Sequence, residues 1–497
     1  MRAAALAFIA STATGAVLTP LVRELAHRHG LLDHALTSRK IHGKPIPRLG
    51  GIAIALAFFA PLLALLFVNS EVGRQFYAMP RRAFGLFAGG LAIALLGVLD
   101  DLKGANAKTK FAVQFAVAGL MYWLGYRIDV IANPFGADIP LGLLGLPFTL
   151  LWIAGVINAL NLIDGLDGLA GGVALIAVVT TCVVALRGGA PLMLLFTAAL
   201  AGAVLGFLFY NFNPATIFMG DTGSMFLGFV LATTAIQTNR ASSSAVAIIV
   251  PIIALGIPIA DTLLAMARRA ARGAPLFSAD RGHIHHRLLA LGLGHRQTVL
   301  VIYGASALLG AVAVSVAYAS ASQAIWFLLA LAAVGYLALR RLGFVSVKLE
   351  DTQRMLVDRR RNLELRGAIR RLGATLREAR GLDDVWTALQ LAAAVLGARA
   401  VALHLADDAA NADAYTHGFY SPAANELFRA RYGVLPERPG DRHVELGWDD
   451  GRTSIDRDTE IAVELLCEHL ADALERIDRP ATLTPLDGLR RVVGFRR

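Results

Sequence analysis

Residues 144–186 read LGLPFTLLWIAGVINALNLIDGLDGLAGGVALIAVVTTCVVAL, and this stretch decides the fold. Each half is an apolar run of spanning length, since a helix needs roughly 20 mostly apolar residues to cross the hydrocarbon. Between the halves, polar side chains recur every third residue, at Asn158, Asn161, Asp164 and Asp167. Neighbours at i, i+3 share a helix face, but each such step drifts by about 60° at 3.6 residues per turn. An unbroken helix would spread the four over about half its circumference. Gly165 and Gly168 predict instead that the helix ends here and the acids turn inward. Two amides and two carboxylates suit hydrogen bonds to a polar ligand and the binding of a cation. The competing role, polar contact between helices in the membrane, needs no pair of acids.

Outward from this stretch the apolar runs repeat. Eleven spans are expected, at about 3–22, 50–69, 83–99, 111–126, 144–162, 169–186, 192–210, 224–238, 245–266, 298–318 and 323–341. The 497-residue chain is 56% hydrophobic and 17% charged, against about 25% charged in a soluble domain. A fully soluble globule and a disordered chain are both excluded. The net charge of +10 is unevenly spread: residues 1–348 carry 25 Lys+Arg against 12 Asp+Glu, and residues 349–497 carry 22 Arg against 25 Asp+Glu. A basic apolar body is thus followed by a charge-balanced tail. A pI near 9.9 would suit a nucleic-acid partner, but the bases flank apolar runs, so a membrane is expected and no nucleic acid. With the N-terminus outside, 18 Lys+Arg fall on the inner side and 7 on the outer, which predicts an N-out, C-in topology. Arg23, Arg28, Arg39 and Lys40 follow the first run, which argues against a cleaved signal peptide. Cys182 and Cys467 offer neither a disulfide framework nor metal-ligand spacing.

Acids near the hydrocarbon are costly and mark function. Among the body's 12, Asp100, Asp101, Asp164, Asp167, Asp221, Asp261 and Asp280 fall at the inner face. A transporter or lipid flippase coupled to ions would place acids through the membrane depth; an enzyme of the cytoplasmic face would gather them at one interface. Asp100-Asp101 closes the third run and precedes Lys103, Lys108 and Lys110. Adjacent carboxylates repel unless a cation or proton offsets them, and a hard cation such as Mg²⁺ does so when phosphate is the substrate. The lysines suit phosphate oxygens as point charges. Asp221 sits between glycines in Phe218-Met-Gly220-Asp221-Thr222-Gly223-Ser224, after Asn211 and Asn213. It suits either close ligand approach or a helix cap. Arg281, His283, His285, His286 and Arg287 form a basic loop suited to a diphosphate; zinc is disfavoured, since no thiolate is near and two arginines would repel a dication.

Five segments in this order, RKIHGKPIPRLGG, DDLKG with KTK, NALNLIDGLDGLAGG, FMGDTGSMFLG and DRGHIHHRLL, resemble the polyprenyl-phosphate N-acetylhexosamine-1-phosphate transferases, over about residues 1–345. The resemblance implies a bacterial inner-membrane enzyme with ten or eleven spans and its active site on the cytoplasmic side. It implies Mg²⁺ (or Mn²⁺) as cofactor, and transfer of a sugar 1-phosphate from a UDP-sugar to undecaprenyl phosphate with release of UMP. The broken histidine run HIHH, preceded by Asp-Arg, resembles the branch that uses UDP-N-acetylglucosamine rather than UDP-MurNAc-pentapeptide. By the same resemblance Asp221 is the metal ligand, and Asp100, Asp101, Asp164 and Asp167 are catalytic. Asn158, Asn161, Asn211, Phe218, Lys103, Lys110, Arg281, His283, His285, His286 and Arg287 are expected to bind substrate. Asp100 matches a proposed base, but a phosphate monoester with a second pKa of about 6 hardly needs one at neutral pH, so positioning of metal or phosphate stays open.

The fold expected is an all-α polytopic membrane domain over 1–345, a charged linker helix over 346–380 and a small cytoplasmic α+β domain over 381–497. In the tail, helices are expected near 350–380, 383–397 and 457–478, and strands near 399–406 and 442–448, in an order vaguely resembling a reduced GAF-like domain. A homodimer and a cytoplasmic partner for the tail remain open.

Overall fold

A computed structural model describes residues 1–33, 46–66, 80–131, 139–241, 249–271, 282–344, 349–405, 415–419, 427–434 and 442–477. The chain divides into two compact units: Met1–Met266 with Ala279–Ser346, and Ala267–Ser278 with Val347–Arg497.

The first unit is helical: α1 (Arg2–Arg28), α2 (Gly50–Leu66), α3 (Pro80–Lys103), α4 (Ala107–Trp123), α5 (Gly145–Ile163), α6 (Leu169–Arg187), α7 (Pro191–Asn211), α8 (Gly220–Ala241), α9 (Ile249–Ala254), α10 (Gly256–Ala271), α11 (Ile284–Ala290), α12 (His295–Tyr318) and α13 (Ala321–Arg341). Two antiparallel pairs of two-residue strands interrupt it, β1 (Leu32–Asp33) with β2 (Ile46–Pro47), and β3 (Val130–Ile131) with β4 (Ile139–Pro140). Local chemistry sets several ends. Pro191 opens α7, where a missing N–H costs nothing. Asn106 caps α4 by accepting from the Thr109 N–H at 2.8 Å, as its residue type favours. Between α5 and α6 the backbone turns through Gly168, whose φ of +76° is left-handed and open to glycine without strain. The helix therefore does end where the two glycines stand.

Among the described residues, seven helices are long and apolar enough to cross a membrane: Arg2–Arg28, Pro80–Lys103, Gly142–Ile163, Leu169–Arg187, Pro191–Asn211, His295–Tyr318 and Ser322–Arg341. This is fewer than the eleven expected, for physical reasons. The runs at 50–69 and 111–126 form helices of only 17 residues. The run at 245–266 is broken between α9 and α10. The run at 224–238 belongs to α8, which carries Thr222, Ser224, Thr233, Thr234 and Gln237, all buried. That helix is the centre of the unit, packed by α2, α3, α5 and α6. Its polar groups meet protein rather than lipid: Gln237 donates to the Gly125 carbonyl at 3.2 Å, and the buried hydroxyls of Thr233 and Thr234 bond back within the helix to the carbonyls of Phe229 and Val230.

Lipid tails are as apolar as leucine, so helices in a membrane associate through close contact of small residues. The pairing of α1 with α7 shows this. Ala7, Ser11, Gly15 and Thr19 form the buried edge of α1, and a Cβ on Gly202 of α7 would lie 2.3 Å from the Phe8 carbonyl oxygen. By contrast α13 exposes Trp326, Leu329, Val334, Tyr336 and Leu337.

The second unit contains α14 (Leu349–Glu378), α15 (Leu382–Val395), β5 (Ala400–His404), β6 (Thr416–His417), β7 (Phe428–Gly433), β8 (His443–Trp448) and α16 (Arg457–Ile477). The strands form one antiparallel sheet in the order β6-β5-β8-β7. Val401 faces Leu446 and Leu403 faces Val444 in the β5–β8 register. Side chains alternate between the two faces of a strand, which sends these four, with Trp448, into a core shared with Val385 and Leu389 of α15 and Leu466 and Leu470 of α16. The sequence reading does not anticipate two of the strands, β6 and β7. In β7 the inward Phe428, Ala430 and Tyr432 alternate with arginines, so its apolar signal is weak.

Candidate active site

The site lies at one end of the helices of the first unit, where α8 begins. Gly220 takes a φ of +68°, and a Cβ there would lie 2.2 Å from the Arg48 carbonyl oxygen, so only glycine suits the position. The segment before it is stitched to the basic motif that leads into α2. The Phe218 N–H donates to the Pro47 carbonyl at 2.7 Å, and the N–H groups of Gly50 and Gly51 donate to the carbonyls of Phe218 and Met219. Two motifs some 170 residues apart in sequence, PIPRLGG and FMGDTG, are thereby one structure. The part of the basic motif at residues 34–45 lies outside the described residues.

The opening N–H groups of α8 need acceptors. Asp101, at the end of α3, supplies them: its Oδ1 accepts from the Asp221 N–H at 2.8 Å, and its Oδ2 from the Thr222 N–H at 3.0 Å and the Thr222 hydroxyl at 2.6 Å. It does from a neighbouring helix what an N-cap residue does locally. The capping role that the sequence allows for Asp221 therefore belongs to Asp101. Its neighbour Asp100 has other duties. Its Oδ1 accepts from the Ala105 N–H at 2.6 Å, and its Oδ2 pairs with the Lys110 ammonium. That ammonium also stands 2.5 Å from Asp221 Oδ2.

The Asn158–Asp167 segment divides by function. Asn161 donates to Ser224 Oγ at 3.0 Å, one turn along α8 from Asp221. Asp164 follows the end of α5. Only part of its surface reaches solvent, and protein encloses its carboxyl group. Burial first, then the charges of Asp221, Asp101 and Asp167, push it up to about 8, because each disfavours the ionised form. Asp167 is buried, and its Oδ2 accepts from Asn213 Nδ2 and the Ala215 N–H, both at 3.0 Å. It fastens the 211–219 loop to the 164–168 turn. Asn158 donates to Gln114 Oε1 at 2.6 Å and to the Ala154 carbonyl at 2.7 Å, so it is the polar contact between helices that the sequence left as an alternative. Asn211, also buried, donates to the Ile217 carbonyl at 2.9 Å and shapes the same loop.

The histidines come from the start of α11. His283 Nδ1 lies 2.9 Å from Asp261 Oδ2, and Asp261 Oδ1 accepts from the Ile284 N–H at 2.8 Å. His285 is buried against Gly165, where a Cβ would lie 2.7 Å from its Nε2. Burial and the neighbouring His286 hold His285 down to about 3, so it is neutral. Rings of His283 and His285 stack at 5.7 Å, and His286 is tilted against His285 at 4.3 Å. Arg287 donates to the Leu342 carbonyl at 2.6 Å and lies over the Phe344 ring. Lys103 is exposed at the end of α3. Arg281 lies outside the described residues.

Four participants carry no assigned role in the sequence reading. Asp261 is one. His295 is another, its Nε2 accepting the Asp167 N–H at 3.0 Å. Tyr303 donates to the Gly168 carbonyl at 2.5 Å, and Gln114 holds Asn158. Apart from Asp261, which stands out as an acid in an apolar run, they lie outside the recognisable motifs and give no signal.

Among the described residues no three His, Cys, Asp or Glu side chains form a ready metal cage. Asp100 and Asp221 nevertheless converge on a single cation, the Lys110 ammonium. Two hard carboxylates facing one positive centre fit Mg²⁺, which is held by one or two carboxylates, with waters and substrate phosphates completing its shell.

The family model for glycosyl transferase family 4 matches residues 83–239. A probable undecaprenyl-phosphate N-acetylglucosaminyl 1-phosphate transferase of Bacillus subtilis is 41% identical over 298 residues, covering 60% of this chain and 80% of that protein. A decaprenyl-phosphate N-acetylglucosaminephosphotransferase of Mycolicibacterium smegmatis is 34% identical over 57% of this chain and 75% of its own. An undecaprenyl-phosphate alpha-N-acetylglucosaminyl 1-phosphate transferase of Escherichia coli is 28% identical over 60% and 79%. With four acids and a lysine drawn together from helices distant in sequence, and this likeness across most of a relative's length, the chain belongs to glycosyl transferase family 4.

Proposed function

We propose that this chain transfers N-acetylglucosamine 1-phosphate from UDP-N-acetylglucosamine to undecaprenyl phosphate, at the cytoplasmic face of a bacterial inner membrane. The observation that carries the reading is the convergence of Asp100, Asp221 and Lys110 at one end of the helices, in a chain 41% identical to a relative named for this reaction. A lipid phosphate oxygen forms a bond to the β-phosphorus of the nucleotide. The bond from that phosphorus to the bridging oxygen breaks, and UMP leaves. The lipid phosphate is mostly dianionic at neutral pH, so the step needs no general base.

Two anions must approach, so positioning and neutralisation of charge dominate. Asp221 with Asp100 would hold Mg²⁺, which supplies positive charge to the reacting phosphates when bound. Asp101 holds the first turn of α8 and so fixes Asp221. Lys110, and Lys103 at the rim, meet phosphate oxygens. Asn161 lies on the nucleotide side, and Phe218 and Asn211 shape the loop beside it. Asp167 keeps that loop on the 164–168 turn. His283, oriented by Asp261, and the neutral His285 present ring nitrogens to the diphosphate and sugar. The arrangement in the membrane is N-out and C-in, with the shorter helices completing about eleven crossings. Residues 349–497 form a cytoplasmic α+β domain, GAF-like in its helix–sheet–helix order.

The test uses the purified full chain with radiolabelled UDP-N-acetylglucosamine, undecaprenyl phosphate and Mg²⁺. Labelled lipid and an equal amount of UMP are expected. No lipid-linked product with this or any other UDP-hexosamine, UDP-MurNAc-pentapeptide included, would overturn the reading.

A further inference from the structure

We infer that Lys110 is the acid cluster's resident counter-ion, and that its ammonium and a bound divalent metal exclude each other. The inference rests on the metal reading of Asp100 and Asp221 given above and extends it to a residue that is not a metal ligand. The Lys110 ammonium touches carboxylate oxygens from two different helices, Asp100 on α3 and Asp221 on α8. A lysine cannot ligate a metal while protonated, and a dication between the same two oxygens would stand against a like charge. One of the two must leave.

The structure lets Lys110 be the one that moves. Its backbone is fixed in the first turn of α4 by the Asn106 cap and by the turn in which the N–H groups of Gly104 and Ala105 bond to Asp100. Its side chain is a flexible four-carbon stem with a compact charge. Asp221 is fixed, because α8 is latched at its start by Asp101. Side-chain exposures of 21% for Lys110 and 29% for Asp221 leave a route to solvent. Without metal, Lys110 offsets the repulsion between Asp100 and Asp221. With metal, it is released toward the phosphates that arrive next. Metal affinity is therefore held below what the carboxylates alone would give, and by reciprocity metal raises the accessibility of Lys110.

The test is a titration of the full chain with Mn²⁺, read by electron paramagnetic resonance without nucleotide or lipid. Lys110→Met, which keeps the stem and removes the charge, is expected to bind Mn²⁺ roughly 5- to 150-fold more tightly, the usual range for coupling between two sites. Asp221→Asn is expected to weaken binding. A second measurement uses the wild-type chain: Mn²⁺ should increase acetylation of Lys110 by a lysine reagent, followed by mass spectrometry, so the inference stays testable if the Met variant does not fold. Binding that weakens in Asp221→Asn but is unchanged in Lys110→Met, or acetylation indifferent to Mn²⁺, overturns the inference alone. No Mn²⁺ binding by any of the proteins overturns the metal reading and the inference with it.

Discussion

The two units use charge in opposite ways. In the first, a charged side chain is an exception, and its acids hold particular places: Asp101 latches a helix, Asp167 a loop, Asp261 a histidine. In the second, charges are the ordinary coat of a small α+β fold, and its ion pairs reinforce that fold. Asp458 takes hydrogen bonds from Asn362 and Arg366 and ties α16 to α14; Glu445 sits between Arg429 and Arg431 on the sheet. The difference teaches that rarity makes a residue readable. Where polar groups are scarce each one marks a catalytic candidate or a fastening, and where they are common the same residue types say little beyond solubility.

The sharpest way to break this contrast is Asp221→Asn. It should lower UMP release by about 10²–10³-fold or more, the scale of losing one electrostatic stabiliser, while the protein elutes as a folded species. Full activity would remove the metal assignment. The converse probe is in the tail. Leu470 is fully buried there, so Leu470→Ala should cost the second unit about 2–5 kcal/mol, measured by denaturant unfolding, and leave the transfer rate unchanged. A parallel fall in transfer would show that the units are coupled.

Asp164 offers a subtler test. Its folded pKa of about 8 lies above the ordinary 3.8, so folding favours the protonated form. The stability it contributes is full below the ordinary value and is lost as pH rises through 8. Asparagine carries no charge, so in metal-free protein Asp164→Asn should raise the melting temperature more at about pH 9 than at about pH 5. Equal shifts at both would refute the assignment. The smallest effect concerns Cys467. Burial, then Glu464 and Glu468, push its thiol up to about 12, so maleimide should label it slowly at pH 8 in the folded chain and readily after unfolding.

How much of this was legible in the sequence follows the same contrast. The membrane helices stood out because a span imposes length and apolarity together. The runs at 50–69, 111–126 and 245–266 stood out as well, but not that two would be short and one broken, since neither property fixes where a helix stops. The central α8 was placed but its role was hidden: its threonines and Gln237 read as weak hydropathy, whereas their burial and the bond from Gln237 to the Gly125 carbonyl show a helix enclosed by protein. In the site, residue type pointed to Asp100, Asp101, Asp164 and Asp221 as a group. Type does not name a partner, so the bonds of Asn158 to Gln114 and of Asp167 to Asn213, which fasten neighbouring segments, could not be read from it. The bond of Arg287 to the Leu342 carbonyl just past α13 was equally invisible. In the tail, β7 escaped because arginine alternates with its inward residues.

Asp100 and Asp101 are neighbours in the chain but hold different elements, Asp100 the turn between α3 and α4 and Asp101 the start of α8. A lineage that gave up the reaction while keeping the fold would no longer need a negative charge at Asp100, only an acceptor for the Ala105 N–H, which asparagine supplies. It would still have to keep an acceptor at position 101, because the central helix begins there. An aspartate pair ordinarily read as one signature is, in evolutionary terms, two separate commitments, and an inactive descendant would show it by carrying asparagine at the first position and aspartate at the second.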